Sequence, residues 1–86
     1  MEFELLITPE QIRAARALLK WRASDLAAKT DLSLASIQRM EQDQGTDRAS
    51  AKNVEAVRKT LDEAGVEFIP ENGAGVGVRL KKKAVI

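Results

Sequence analysis

Residues 23 to 42 carry a spacing of small, turn-forming and apolar residues that few local folds can accommodate. Counted from Ala23, the fifth residue is Ala27, which is small enough for two helices to approach closely, and the ninth is Asp31, which tolerates a left-handed turn. Apolar residues occupy the fourth, tenth, fifteenth and eighteenth positions: Leu26, Leu32, Ile37 and Met40. The spacing predicts two short helices that are joined by a tight turn and share one core.

On these residues the chain resembles the Cro and phage-repressor-like (XRE) family of small helix-turn-helix proteins, from about Thr8 to Gly65. The resemblance implies a mainly α fold: a four-helix repressor-like helix-turn-helix domain, followed here by a C-terminal β-hairpin. It also implies transcriptional regulation, since known members are mostly DNA-binding regulators, although fold alone does not establish function. Family members commonly start the second helix with a phosphate-gripping Gln after a Ser or Thr cap. Here those positions hold Ala23 and Arg22.

Composition narrows the chemistry that the chain can perform. Its 86 residues include no cysteine and no histidine, which excludes disulfides, thiolate nucleophiles, the usual zinc clusters and imidazole catalysis. We therefore expect no enzymatic activity, no metal and no cofactor. No apolar run approaches the roughly 20 residues of a membrane span, and the first residues are acidic where a signal peptide would be basic. These features predict a soluble cytoplasmic protein.

The charge pattern is uneven and bears on nucleic-acid binding. The net charge is +1, and residues 23–44 carry two positive against four negative side chains. Because Lys and Arg contacts to phosphates supply most non-specific DNA affinity, this predicts weak or salt-sensitive binding unless dimerisation doubles the contacts. A cluster of basic residues lies near the C-terminus: Arg79, Lys81, Lys82 and Lys83. It is interpreted either as a solvated tail or as a contact to DNA phosphates.

Capping residues and periodicity place four helices. Thr8, Pro9 and Gln11 form a helix start with a capping box. The buried face of this first helix is predicted to comprise Ile12, Ala15, Leu18 and Leu19, with Trp21 closing the core behind it. The second helix is expected from Ser24 to Thr30, and the third follows the cap Ser33.

The later part of the chain is predicted to contain a loop, one more helix and a hairpin. Residues 42–52 are polar and are predicted as a loop, and a fourth helix then starts at Ser50 or Asn53 and ends at Gly65. Its buried seam is predicted to be Val54, Val57, Leu61 and Ala64. Beyond it the apolar period changes to two, which predicts Val66–Ile69 and residues 76–81 as a β-hairpin with a six-residue loop. Residues 3–7 alternate in the same way and fit a short strand or a frayed tail.

The whole chain, 1–86, is thus predicted to be a single domain, with a helical part at 8–65, the hairpin at 66–82 and a tail at 83–86. One core is predicted to contain Ile12, Leu19, Trp21, Leu26, Ile37, Met40, Val57 and Leu61. A two-stranded hairpin is marginal alone, so its apolar face must be covered by the helices, by residues 3–7 or by a second copy of the chain. We favour self-association as a homodimer at the hairpin.

The candidate site residues follow from the two-helix pattern. DNA contacts are predicted for Arg22, Ser24, Lys29, Ser33, Leu34, Ala35, Ser36, Gln38 and Arg39. Gln38 can pair with adenine and Arg39 with guanine, while Leu34 and Ala35 suit thymine methyl groups. In addition, Arg16 and Glu41 occupy positions where family members join the first helix to the end of the third by an ion pair, which implies a structural role.

Two classes of function remain open. The first is a small transcriptional regulator that binds duplex DNA through its third helix, as a homodimer. The second is an antiactivator or other protein-interaction module that masks a partner transcriptional regulator without binding DNA, through Leu34, Ala35 and Gln38. The acidic motif, Ala23 and an outward Leu34 favour the second. An antitoxin or phage-derived accessory protein acting through both surfaces is not separable from these by sequence.

Overall fold

The computed structural model describes residues 6–82, which form five helices and one two-stranded hairpin. The elements in chain order are α1 (Pro9–Leu19), α2 (Ala23–Thr30), α3 (Leu34–Met40), α4 (Gly45–Arg48), α5 (Ala51–Glu63), β1 (Val66–Ile69) and β2 (Gly77–Leu80). The mainly helical fold with a C-terminal hairpin agrees with the prediction. No helix in this range is long and apolar enough to cross a membrane.

The predicted capping residues start three of the helices. Thr8 and Gln11 form the capping box of α1, with Pro9 in the first turn. The hydroxyls of Ser33 and Ser50 each accept the backbone N–H three residues further on, at 3.0 and 3.2 Å. These bonds satisfy N–H groups that have no partner within the helix, so the element starts could be read from local sequence.

The core lies where α1, α2, α3 and α5 meet one face of the hairpin. Its fully buried large side chains are Ile12, Leu26, Ile37, Met40, Leu61, Val57 and Val66. Six of the eight residues predicted for the core are buried, and the other two, Leu19 and Trp21, are partly buried against it. The helical periodicity therefore identified most of the packed face of each long helix, although Val54 and Ala64 of the later seam are only partly buried.

The hairpin turns one face to the helices and the other outward. Val66 pairs with Leu80 and Phe68 with Val78, so these four side chains share a face. Val66 and Phe68 are buried there. On the opposite face, Arg79 and Glu67 form a cross-strand ion pair at 2.9 Å, and this pair lowers the pKa of the Glu67 carboxyl.

The Gln11 side chain joins α1 to the hairpin. It is only 2% exposed, and its Nε2 donates to the Ile69 carbonyl at 3.2 Å and the Gly77 carbonyl at 2.9 Å. Its Oε1 accepts the backbone N–H of Thr8 at 2.9 Å. One buried amide thus completes the cap of α1 and binds both strands at the end of the hairpin that carries the loop.

The prediction of four helices, with residues 42–52 as a loop, was wrong: the structure has a fifth, the single turn α4, in this stretch. Gln44 adopts a left-handed conformation with φ of 60°, which redirects the chain, and the Ala49 N–H then bonds to the Gly45 carbonyl at 3.1 Å. A helix of one turn is too short to show a helical repeat of apolar residues. The polar composition of residues 42–52 therefore predicted a loop.

The buried position predicted for Leu18 was also wrong, since this side chain is 38% exposed. Leu18 follows Gln11 by about two helical turns and lies about 20° from it around the axis, at the margin of the buried face that includes Ile12 and Ala15. Of the predicted strand at 3–7, residues 3–5 lie outside the described range, as does the tail at 83–86. Ile7 is buried, Leu6 is 77% exposed, and neither belongs to a strand.

We predict that Gln11→Met, which keeps the volume and removes the amide, lowers the free energy of unfolding by about 2–4 kcal/mol. The change leaves two strand carbonyls and one N–H without their buried partner. Gln38→Met, at an exposed position, is the matched control and should change stability by no more than about 0.5 kcal/mol. Urea denaturation of both variants measures the difference, and equal midpoints would contradict the role of the Gln11 amide.

Candidate nucleic-acid interface

The turn between α2 and α3 fixes how the two helices cross. Asp31 takes the left-handed conformation predicted for it, with φ of 60°, and its N–H bonds to the Ala27 carbonyl. Leu32 N–H bonds to the same carbonyl at 3.2 Å. Ala27 itself is only 6% exposed, so its small side chain sits inside the contact between the helices. The orientation of α3 is therefore set within a few residues of the turn.

Because the inward residues of α3 are buried, its outward face is determined too. Ile37 is 0% and Met40 2% exposed, whereas Leu34 is 41% exposed. The other exposed predicted residues of α3 are Ala35, Gln38 and Arg39. The structure thus gathers Leu34, Ala35, Gln38 and Arg39 on the solvent side of one short helix.

Two of the predicted contact residues are engaged in capping α3. The Ser33 hydroxyl donates to the Ser36 hydroxyl at 2.9 Å while accepting the Ser36 N–H. Arg39 Nη2 reaches the Ser36 hydroxyl at 3.4 Å, a long bond that leaves most of its guanidinium donors unused. Ser33 and Ser36 therefore serve the helix start, and the polar groups left to meet a ligand are those of Gln38 and Arg39.

The predicted contacts on α2 lie in different surroundings. Arg22 is exposed at the helix start, where its backbone N–H donates to the Asp25 carboxylate at 2.8 Å. Ser24 is exposed in the first turn. Lys29 Nζ lies 5.0 Å from the centroid of the Trp21 ring, a cation–π contact that holds the ammonium group over the indole.

A depression of about 280 Å³ opens beside the C-terminal half of α3. Its lining comes from the end of α3, from α4 and from the start of α5: Ser36, Arg39, Met40, Gln42, Asp43, Gly45, Arg48, Ala49 and Asn53. Sequence reasoning did not place Arg48 or Asn53 near the third helix. The Ser50 cap could have put Asn53 in a first helical turn, whereas nothing in the sequence pattern marks the turn that carries Arg48.

Gly45 allows α4 to lie against the end of α3. This glycine is buried, and a Cβ at its position would come 2.6 Å from the Met40 carbonyl oxygen and closer still to that of Arg39. Both obstacles are backbone atoms, which cannot move aside as a side chain can. Only glycine fits here without a backbone shift, so Gly45 lets α4, which carries Arg48, pack against the end of α3.

A two-point ion pair fastens the end of α3 to α1, as the resemblance implied. Arg16 Nε and Nη2 donate to the two carboxylate oxygens of Glu41 at 2.6 and 2.7 Å, and Arg16 Nη1 donates to the Trp21 carbonyl at 3.0 Å. The side chains are 20% and 9% exposed. The hydrogen bonds to Glu41 raise the pKa of the Arg16 guanidinium against the opposing effect of burial. Arg13 also donates to the Glu41 backbone carbonyl.

No protein-family model matches the sequence, and a search of the curated proteins gives no significant match. Within residues 6–82, no group of three or more acidic side chains is arranged to hold a metal ion. The solvent-exposed face of α3 carries one amide, one guanidinium, the large apolar Leu34 and the small Ala35. A depression lined in part by a second arginine borders this face.

We predict that Glu41→Gln lowers the free energy of unfolding by about 2–4 kcal/mol, because it leaves the Arg16 charge without its partner in a partly buried position. Glu55→Gln provides the control: Glu55 also pairs with an arginine, Arg58, but its side chain is 55% exposed. That variant should lose less than about 1 kcal/mol. Thermal and urea unfolding of both proteins test this. Equal losses would mean that the Arg16 pair is no more than a surface contact.

We further predict that Gly45→Ala destabilises the protein by about 1–3 kcal/mol, since the added methyl group must push α4 away from the α3 carbonyls. Ala51→Gly is the control, because Ala51 is exposed in the first turn of α5. This variant measures the effect of exchanging alanine and glycine in a helix where no close contact is involved. Chemical shifts of Arg39 and Arg48 should move in Gly45→Ala and stay in place in Ala51→Gly. Unchanged shifts and stability in Gly45→Ala would contradict the close approach.

Proposed function

We propose that this chain is a small transcriptional regulator with a repressor-like helix-turn-helix, which places α3 in the major groove of duplex DNA as a homodimer. The observation that carries the proposal is the outward face of α3, where Leu34, Ala35, Gln38 and Arg39 are all exposed. The turn at Asp31 and the buried Ile37 hold that face in one orientation. A rigid exposed helix of this kind suits a groove about 12 Å wide.

The side chains on this face match the chemistry of base edges. Gln38 offers an amide that can pair with the N6 and N7 groups of adenine, and Arg39 offers two parallel N–H donors for the O6 and N7 acceptors of guanine. Leu34 and Ala35 supply apolar contact for thymine methyl groups. A site read by these four residues would combine two polar and two methyl contacts per copy.

Backbone affinity must come from few cations, because the α2 and α3 region is net acidic. Arg22 is exposed at the start of α2, and Arg39 and Arg48 border the same depression beside α3. We assign the phosphate contacts to Arg22 and Arg48, which stand on either side of the reading helix in the chain. With so few contacts per copy, two copies are needed for tight binding at physiological salt.

A second candidate function has a specific observation in its favour. Leu34 is 41% exposed, with the small Ala35 next to it, which is an apolar anchor that a groove on another protein could receive. In this alternative the same face of α3 masks a partner transcriptional regulator, and the acidic surroundings keep DNA away. The two functions differ in whether phosphates are bound at all.

We predict that binding to mixed duplex DNA falls steeply with salt, and that two arginine variants weaken it in different ways. Arg39→Ala should cost about 1–3 kcal/mol at one base position and relax specificity there. Arg48→Ala should weaken all sequences alike and reduce the salt slope by about one per copy. Fluorescence anisotropy across a salt series and a library of base substitutions measures both.

Lys59→Ala is the control, because it removes the same charge from an exposed position on α5. It should leave the base preference unchanged. Absence of DNA binding at every salt concentration would refute the proposal and favour partner masking. In that case Leu34→Glu should abolish capture of the partner regulator without unfolding the chain, since Leu34 lies outside the core.

A further inference from the structure

Strand β2 has an outer edge whose backbone groups have no partner among residues 6–82. The Lys81 N–H donates to the Gly65 carbonyl, so this pair and every second pair along the register exchange hydrogen bonds within the hairpin. The alternate residues of β2, Val78 and Leu80, therefore direct their N–H and C=O groups away from β1. An open edge of this kind pairs readily with another strand.

Exposed apolar side chains lie along the same edge. Leu80 is 50% and Val76 42% exposed, and strand alternation puts both on the side of the sheet that carries Val78 and faces the helices. Of the five exposed large apolar residues within residues 6–82, Val76 and Leu80 thus lie on one side of this edge.

The edge is complementary to itself in one register. If two β2 strands pair antiparallel about a two-fold axis at Val78, each Leu80 stands opposite the partner's Val76, so exposed apolar residues meet. Each Arg79 then stands opposite the partner's Gly77, which keeps the two guanidinium groups apart. An axis through Arg79 would set like charges face to face, which is destabilising.

We propose that two copies of this chain join through their β2 edges in that register, forming a continuous four-stranded sheet with the order β1, β2, β2, β1. The pairing satisfies the outward backbone groups of Val78 and Leu80. It also places the two α1 helices on the same face of the four-stranded sheet. A two-stranded hairpin, marginal by itself, becomes the half of a wider sheet.

This inference rests on the self-association included in the proposed function, and it names the surface responsible. It is independent of DNA contact, because the edge residues lie on β2 and the reading residues on α3. The first test is sedimentation of the full chain without DNA over a wide concentration range. Leu80→Lys should raise the dimer dissociation constant about tenfold or more, since it puts a charge into the seam.

Leu34→Lys is the matched control, because Leu34 is exposed to a similar extent, 41%, but lies on α3. It should leave the dissociation constant unchanged while altering DNA binding. Circular dichroism checks that both variants fold. A wild-type chain that stays monomeric at all concentrations overturns the proposal, and so does a dimer that Leu80→Lys leaves intact. DNA binding by a monomer would overturn the edge pairing while leaving the reading function of α3 in place.

A cysteine introduced at the symmetry axis tests the register. The chain has no cysteine of its own, so Val78→Cys gives each copy a single thiol. Directly opposite residues have Cα atoms about 5.5 Å apart, within the range that a disulfide spans. Mild oxidation should convert most of Val78→Cys into a covalent dimer and leave Leu34→Cys monomeric. Equal crosslinking of both variants overturns the register.

Amide exchange distinguishes a second copy from the chain's own residues 1–5 as the occupant of the edge. The N–H groups of Val78 and Leu80 should exchange slowly in concentrated solution and more rapidly as the protein is diluted into monomer. Protection that persists in the monomer would mean that the edge is covered within one chain, which overturns the proposal. Rapid exchange at every concentration overturns it as well.

Discussion

The buried amide of Gln11 joins parts of the chain that the sequence keeps far apart. Its oxygen completes the cap at the start of α1, and its nitrogen binds two carbonyls, 58 and 66 residues further on. Because no buried side-chain polar atom in residues 6–82 lacks a partner, the amide is fully used. Together with the burial of Val66 and Phe68 in the core, this side chain holds the hairpin against the helices.

Much of the fold could be predicted because its signals are local. The caps Thr8, Ser33 and Ser50 bond to backbone groups three residues away, and the left-handed turn at Asp31 involves one residue. Each of these features can therefore be recognised in a short segment of sequence. The exposure of Leu34 followed from the burial of its neighbours on α3. The exposure of Leu34, Ala35, Gln38 and Arg39 was therefore predictable, whereas the partial burial of Ser36 was not.

The other features of the fold depend on contacts between residues that are far apart in the sequence, so no short segment indicates them. Gln11 was expected to cap its own helix, and nothing in the sequence indicated that its nitrogen reaches the strands. Leu18 belongs to the apolar period of α1 but lies at the margin of its buried face, with 38% of its surface exposed. Arg48 lies next to α3 only because Gly45 lets a single helical turn pack closely. The depression arises from such packing.

The contact between Lys29 and Trp21 gives the molecule an internal optical reporter. Trp21 is the sole tryptophan, and the chain has no tyrosine, so near-ultraviolet emission comes from one indole. Trp21 is partly buried and lies between α1 and α2 in the chain. The Lys29 ammonium lies 5.0 Å from the centroid of its ring, and the Arg16 guanidinium donates to the Trp21 backbone carbonyl. Its emission wavelength and intensity therefore respond to the junction that positions α2, without any attached dye.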